Sequence, residues 1–151
     1  AQERARQLYH CATAGDLSEV LGDDSLDAVV IATPARTHFA LAQAALLAGK
    51  HVLVEKPLTM DLAEGRELVA LAESRGLALM VGHVFEFNPA VRYIKAAIDS
   101  GELGDLFYLY SKRVNLGRVQ SDVNALWSIA PHDISIALHL LGRMPVAVRC
   151  Q

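Results

Sequence analysis

A chain of 151 residues with 52% hydrophobic content is long enough to bury one sizeable core. A formal net charge of −3 and scattered basic residues leave no footprint for nucleic acid, and no apolar run is long enough for a bilayer span. The two cysteines, Cys11 and Cys150, lie near opposite ends and read as reduced thiols, so a cytoplasmic protein without a signal peptide is expected.

In chain order, residues 1–8 favour helix but have no cap and no strand before them. Cys11–Ala14 is a candidate short strand. Asp16-Leu-Ser-Glu19 has capping-box spacing and leads to Gly22. Leu26–Thr33 is rich in β-branched residues and stops at Pro34, which predicts a strand. Thr37 is the expected N-cap of a helix that sets Phe39, Ala42 and Leu46 on one face before Gly49. A second strand, His51–Val54, runs straight into Glu55, Lys56 and Pro57. Asp61 and Glu64 repeat the capping-box spacing for a helix to Gly76, and Leu77–Val81 is a third apolar strand closed by Gly82 and His83. Alternating strands and helices of these lengths predict a parallel sheet with helices over both faces.

After His83 the pattern changes. Asn88-Pro89 opens a helix with Val91, Ile94 and Ile98 inward, and Asp105–Arg113 reads as a strand. A polar loop follows to Asn124, and a helix is expected from about Pro131 to Gly142. The expected fold is α/β, with a partial Rossmann-like parallel sheet over residues 1–84. Residues 85–151 would begin an α+β substrate domain with a mostly antiparallel sheet.

Open parallel sheets bind ligands beyond the carboxyl ends of their strands, and Thr33, Glu55, Lys56 and His83 fall there. A lysine fixed before a proline can serve as proton relay, substrate clamp or phosphate contact. Glu55 and Lys56 also fit a plain solvated strand end. His38 fits either a cofactor contact or a solvent-facing residue of a first helical turn. His132 suits a general base because an imidazole titrates near neutrality, though a histidine opening a helix also serves as a cap. Arg113, Asn115, Arg118 and Asn124 suit hydrogen bonds to a polar substrate or an ordinary solvated loop. Trp127 suits a substrate wall or a core. His132, Asp133 and His139 lack the spacing of a helical metal pair, and no metal is expected.

Together, Val30-Ile-Ala-Thr-Pro34 with His38, Gly49-Lys-His-Val-Leu-Val-Glu-Lys-Pro57, Val81-Gly-His83, Ser100-Gly-Glu-Leu-Gly-Asp105 and Ala130-Pro-His-Asp133 resemble the Gfo/Idh/MocA oxidoreductases over essentially the whole chain. The resemblance implies an NAD- or NADP-dependent enzyme that transfers a hydride to or from a secondary hydroxyl of a sugar or nucleotide sugar. Uridine-diphosphate N-acetylhexosamine 3-dehydrogenases are the nearest type. Inositol or polyol dehydrogenases of the same family are the alternative, as is a non-catalytic NAD(P)- or sugar-binding regulator. Lys56 and His132 would carry the proton chemistry. Ile31, Ala32, Thr33, Pro34, His38, Glu55 and Lys56 would line the cofactor, and Arg113, Asn115, Asn124 and Trp127 the substrate. A homo-oligomer is expected, with no nucleic acid or membrane partner.

Two departures stand out. The ten glycines include no Gly-x-Gly-x-x-Gly, the loop that holds a pyrophosphate on backbone amides. A family member would carry it before residue 1, so the chain is expected to lack its first βα unit and to bind NAD poorly by itself. Ser128 stands where many members have an aspartate four residues before the histidine, leaving His132 to act with Lys56 alone or with support from Asp133.

Overall fold

The structure, a computed structural model, describes residues 2–114 and 124–149. It falls into two compact units, residues 1–81 and 82–151, dividing three residues before the boundary expected at 84/85.

The first unit holds α1 (Gln2–Tyr9), α2 (Leu17–Leu21), β1 (Ala28–Ile31), α3 (His38–Leu47), β2 (His51–Val54), α4 (Leu62–Arg75) and β3 (Leu79–Val81). Cys11–Ala14 forms no strand. The capping box of α2 is present: Ser18 N donates to Asp16 Oδ1 at 2.7 Å and Asp16 N to Glu19 Oε1 at 3.2 Å. Asp61 caps α4 by accepting from Ala63 N and Glu64 N, and Gly76 closes it at φ +64°, a left-handed conformation that a side chain would strain.

The three strands form a parallel sheet in the order β1-β2-β3, with Ile31 opposite Val54 and Val54 opposite Val81. Side chains alternate between the faces of a strand. Ile31, Val52 and Val54 are buried with Ala42, Ala45 and Leu46 of α3 and Leu68 and Ala72 of α4, while Val29, Leu79 and Val81 pack against this cluster. All six strand residues share one face. The register sets Val30, Leu53 and Met80 in a row on the other face, where Val30 is 71% exposed.

Helices over both faces were expected. Within this unit α3 and α4 lie together on one face, because successive right-handed crossovers in the same direction deliver their helices to the same side. The alanines of α3 and α4 let the helices approach the sheet closely. Leu46 and Leu68 fill the remaining space; truncating such a fully buried leucine to alanine costs about 2–5 kcal/mol.

The second unit holds a short turn of 3-10 helix at Val84–Phe87, then α5 (Pro89–Asp99) and α6 (Ala125–Leu141). Asn88 caps α5, its Oδ1 accepting from Ala90 N at 2.9 Å, with Pro89 in the first turn. The helix expected from Pro131 begins instead at Ala125. Asn124 Oδ1 accepts from Trp127 N at 3.0 Å, and Pro131 sits inside the helix. The Asn124 cap outweighs the local preference of proline for a helix start. The strand expected at Asp105–Arg113 pairs with nothing among the described residues, so the antiparallel sheet is not seen there. A strand needs a neighbour to satisfy its backbone, and its sequence alone does not supply one.

Candidate functional site

The carboxyl edge of the sheet is built from the segments that leave β1 and β2. Beyond β1, Ala32, Thr33 and Pro34 are exposed and available to a ligand. Ile31 is not. Its side chain is 6% exposed inside the core and its carbonyl oxygen accepts from Glu55 N at 2.9 Å, which corrects the expectation of a cofactor contact. Thr37 has the N-cap position of α3 but makes no cap bond with its side chain. Its hydroxyl donates to Pro34 O at 2.7 Å, so Thr33 Oγ1, 2.7 Å from Thr37 Oγ1, supplies the proton between the two hydroxyls.

Beyond β2, Glu55 and Lys56 are half-buried and the Lys56–Pro57 peptide bond is cis. His38 joins this segment to the one after β1. Its Nδ1 lies 2.7 Å from Pro57 O and its Nε2 lies 2.8 Å from Thr33 O, with the residue 1% exposed. A neutral imidazole donates through one nitrogen only; a ring carrying both protons donates to both carbonyls. Either way both nitrogens are turned inward. His38 is therefore neither solvent-facing nor a ring contact for a cofactor, but a staple between the two loops that present Thr33, Pro34, Glu55 and Lys56. Sequence reasoning missed this role, since the partners are carbonyls five and nineteen residues away.

His132 and the expected substrate residues belong to the second unit. The His132 ring packs on Phe85, centroids 4.8 Å apart and planes at 68°. Asp133, its neighbour on α6, accepts from Arg113 Nε at 2.8 Å and Nη2 at 3.2 Å and from Ser111 Oγ at 2.8 Å. The Arg113 hydrogen bond holds the Asp133 carboxyl below its usual range, against the opposing effect of burial. Both Asp133 oxygens are thus engaged by Arg113 and Ser111, and adjacent helix positions point apart, so none of the hydrogen bonds described for Asp133 goes to His132.

Arg113 spends Nε and Nη2 on Asp133 and lays its guanidinium 4.6 Å from the centre of the Phe85 ring, so the contacts described for it are internal ones. Asn124 is likewise the α6 cap, and its side-chain oxygen is occupied. Trp127 lies in the first turn of α6, more than a third exposed. Asn115 and Arg118 lie outside the described residues. No group of three potential metal-binding side chains occurs among the described residues.

The residues present fit part of a dinucleotide site. The exposed residues Ala32–Pro34 and the half-buried Glu55–Lys56 pair offer small, polar and cationic groups at the carboxyl edge of a parallel sheet, while no glycine loop for a pyrophosphate is among them.

The chain is 38% identical over 150 residues to UDP-N-acetylglucosamine 3-dehydrogenase of Acidithiobacillus ferrooxidans, an alignment spanning 99% of this chain and 46% of that protein. The solved structure of that enzyme superposes with a TM-score of 0.83, covering 97% of this chain and 47% of that one. A protein from Magnetospirillum magnetotacticum superposes with a TM-score of 0.85 at 38% identity, covering 92% and 45%. The NAD(+)-dependent scyllo-inositol 2-dehydrogenase of Bacillus subtilis is 33% identical over 147 residues, 94% of this chain and 43% of that protein. The chain thus spans less than half the length of these relatives. The family model described as an oxidoreductase family with an NAD-binding Rossmann fold matches residues 1–83, and the chain belongs to that family, Gfo/Idh/MocA.

Proposed function

We propose that the protein is an NAD- or NADP-dependent dehydrogenase acting on a secondary hydroxyl of a sugar or nucleotide sugar. The observation that carries this reading is the Glu55–Lys56 pair at the ligand edge of β2, anchored through Pro57 to His38, in a chain 38% identical to a nucleotide-sugar 3-dehydrogenase. When bound, the nicotinamide supplies the hydride acceptor or donor. The chain's own task is the proton and the charge. Lys56 offers a cation that stabilises an alkoxide developing at the sugar hydroxyl, and His132 accepts the hydroxyl proton as general base. Glu55 orients Lys56 or meets the nicotinamide ribose, while Thr33 and Pro34 line the cofactor beyond β1. Trp127 and the segment containing Asn115 are the remaining candidates to meet the sugar. Removing a group of this kind lowers turnover about a hundredfold to ten-thousandfold.

The test is NAD(P) reduction by the full protein with a panel of uridine-diphosphate sugars and inositols. Turnover of a nucleotide sugar that falls at least a hundredfold in Lys56→Ala and in His132→Ala supports the reading. Cofactor binding with no turnover of any substrate contradicts it and favours a regulatory protein. A second reading, an inositol dehydrogenase, is favoured by the 33% identity to the scyllo-inositol enzyme and would show as turnover confined to the inositols.

We also propose that the full protein is a cytoplasmic homo-oligomer. This extends the expectation drawn from the sequence; among the described residues no helix is long and apolar enough to cross a membrane. Light scattering that returns the monomer mass would contradict the assembly.

A further inference from the structure

Three side chains of the second unit gather beside His132 without any part in the proton chemistry described above. Phe85 meets the imidazole ring, and the Arg113 guanidinium stacks on the same Phe85 ring at 4.6 Å. Arg113 then grips Asp133 through Nε and Nη2, and Asp133 precedes no gap: it is the next residue of α6 after His132. The contacts therefore close on themselves, running from His132 to Phe85, to Arg113, to Asp133 and back along the helix. A guanidinium suits this position because its flat face stacks on an aromatic ring while its edge forms two parallel bonds to a carboxylate. Ser111 braces the same carboxylate from the segment that carries Arg113, its hydroxyl donating to Oδ1.

We propose that Phe85, Arg113 and Asp133 form a closed clamp that holds the His132 imidazole in one orientation, making Arg113 a positioning residue and not a substrate ligand. The proposal rests on the reading of His132 as the proton carrier. The clamp acts through ring orientation, so losing it misaligns the proton acceptor while leaving sugar binding intact. Arginine cannot be replaced by lysine here, since an ammonium has neither the stacking face nor the fork.

The experiment compares Arg113→Met, Arg113→Lys, Phe85→Leu and Phe85→Tyr with wild type in the full protein. It records kcat and KM for the sugar together with the imidazole C–H resonances of His132 by NMR. Arg113→Met, Arg113→Lys and Phe85→Leu should lower kcat roughly tenfold to a hundredfold with KM changed less than about twofold. They should also move the His132 resonances, through the changed position or loss of the neighbouring ring. Phe85→Tyr keeps the ring and should retain both the rate and the resonances. If Arg113→Met unfolds the protein, the Phe85→Leu and Phe85→Tyr pair decides the question alone. A raised KM at unchanged kcat, or His132 resonances that stay in place, overturns the clamp. His132→Ala separates the two claims. Full activity in that variant removes the proton-carrier reading itself, whereas lost activity there beside unmoved resonances in the clamp variants removes the clamp only.

Discussion

His38 shows how a single buried side chain can tie together two loops that leave the end of a sheet. It opens α3, yet it ties the carbonyls of Thr33 and Pro57 from inside the core. His38→Ala would leave two carbonyls without their partner and a cavity between them, at a cost of about 2–4 kcal/mol. Urea unfolding of the variant measures this, and a loss below about 0.5 kcal/mol would show that the staple carries no stability. Asp133 makes a pH-dependent prediction. Its carboxyl lies below the ordinary value of 3.8, chiefly through the Arg113 hydrogen bond, so folding favours its charged form. That contribution is fully present above the unfolded value and fades as pH falls through the lower folded one. Calorimetric melting of wild type and Arg113→Met should therefore differ by a constant amount near neutrality and converge below the ordinary carboxylate range. Parallel curves down to the lowest pH would contradict it.

Helix ends were the most legible features because their chemistry is local. Asp16, Asp61 and Asn88 lie within three residues of the amides they cap, and a window of sequence contains both partners. The parallel strands were legible from their apolar, β-branched runs, and the location of Lys56 at a strand end followed from them. The pairing of Asp105–Arg113 was not, since a strand depends on a distant neighbour. The same holds for Arg113, whose partner Asp133 lies twenty residues away, and its charge suggested a substrate contact where the structure shows an internal one. The start of α6 was misplaced because Pro131 resembles a helix opening while Asn124 provides the actual cap. Asn124→Ala should accordingly lower stability by about 1 kcal/mol and leave KM for the sugar unchanged. A large rise in KM at wild-type stability would return Asn124 to the substrate site.

At the scale of the whole molecule, the first unit is a three-stranded parallel sheet whose helices cover one face and whose β1 edge is unpaired among the described residues. Beside that edge, Leu17, Leu21, Val29, Leu41 and Ala45 contribute to an apolar hollow of about 240 Å³. The sequence of residues 1–151 contains no Gly-x-Gly-x-x-Gly loop to hold a pyrophosphate on backbone amides. Residues 1–151 alone are accordingly expected to bind NAD poorly; micromolar affinity by calorimetry would contradict this.

The proposed dehydrogenase chemistry requires Lys56 and His132 to serve one chemical step, and a double-mutant cycle on kcat in the full protein checks this. Groups that act as a unit are non-additive, so Lys56→Ala combined with His132→Ala should cost little more than the more damaging single change. Losses that multiply in full, or single variants that keep wild-type turnover, would contradict it.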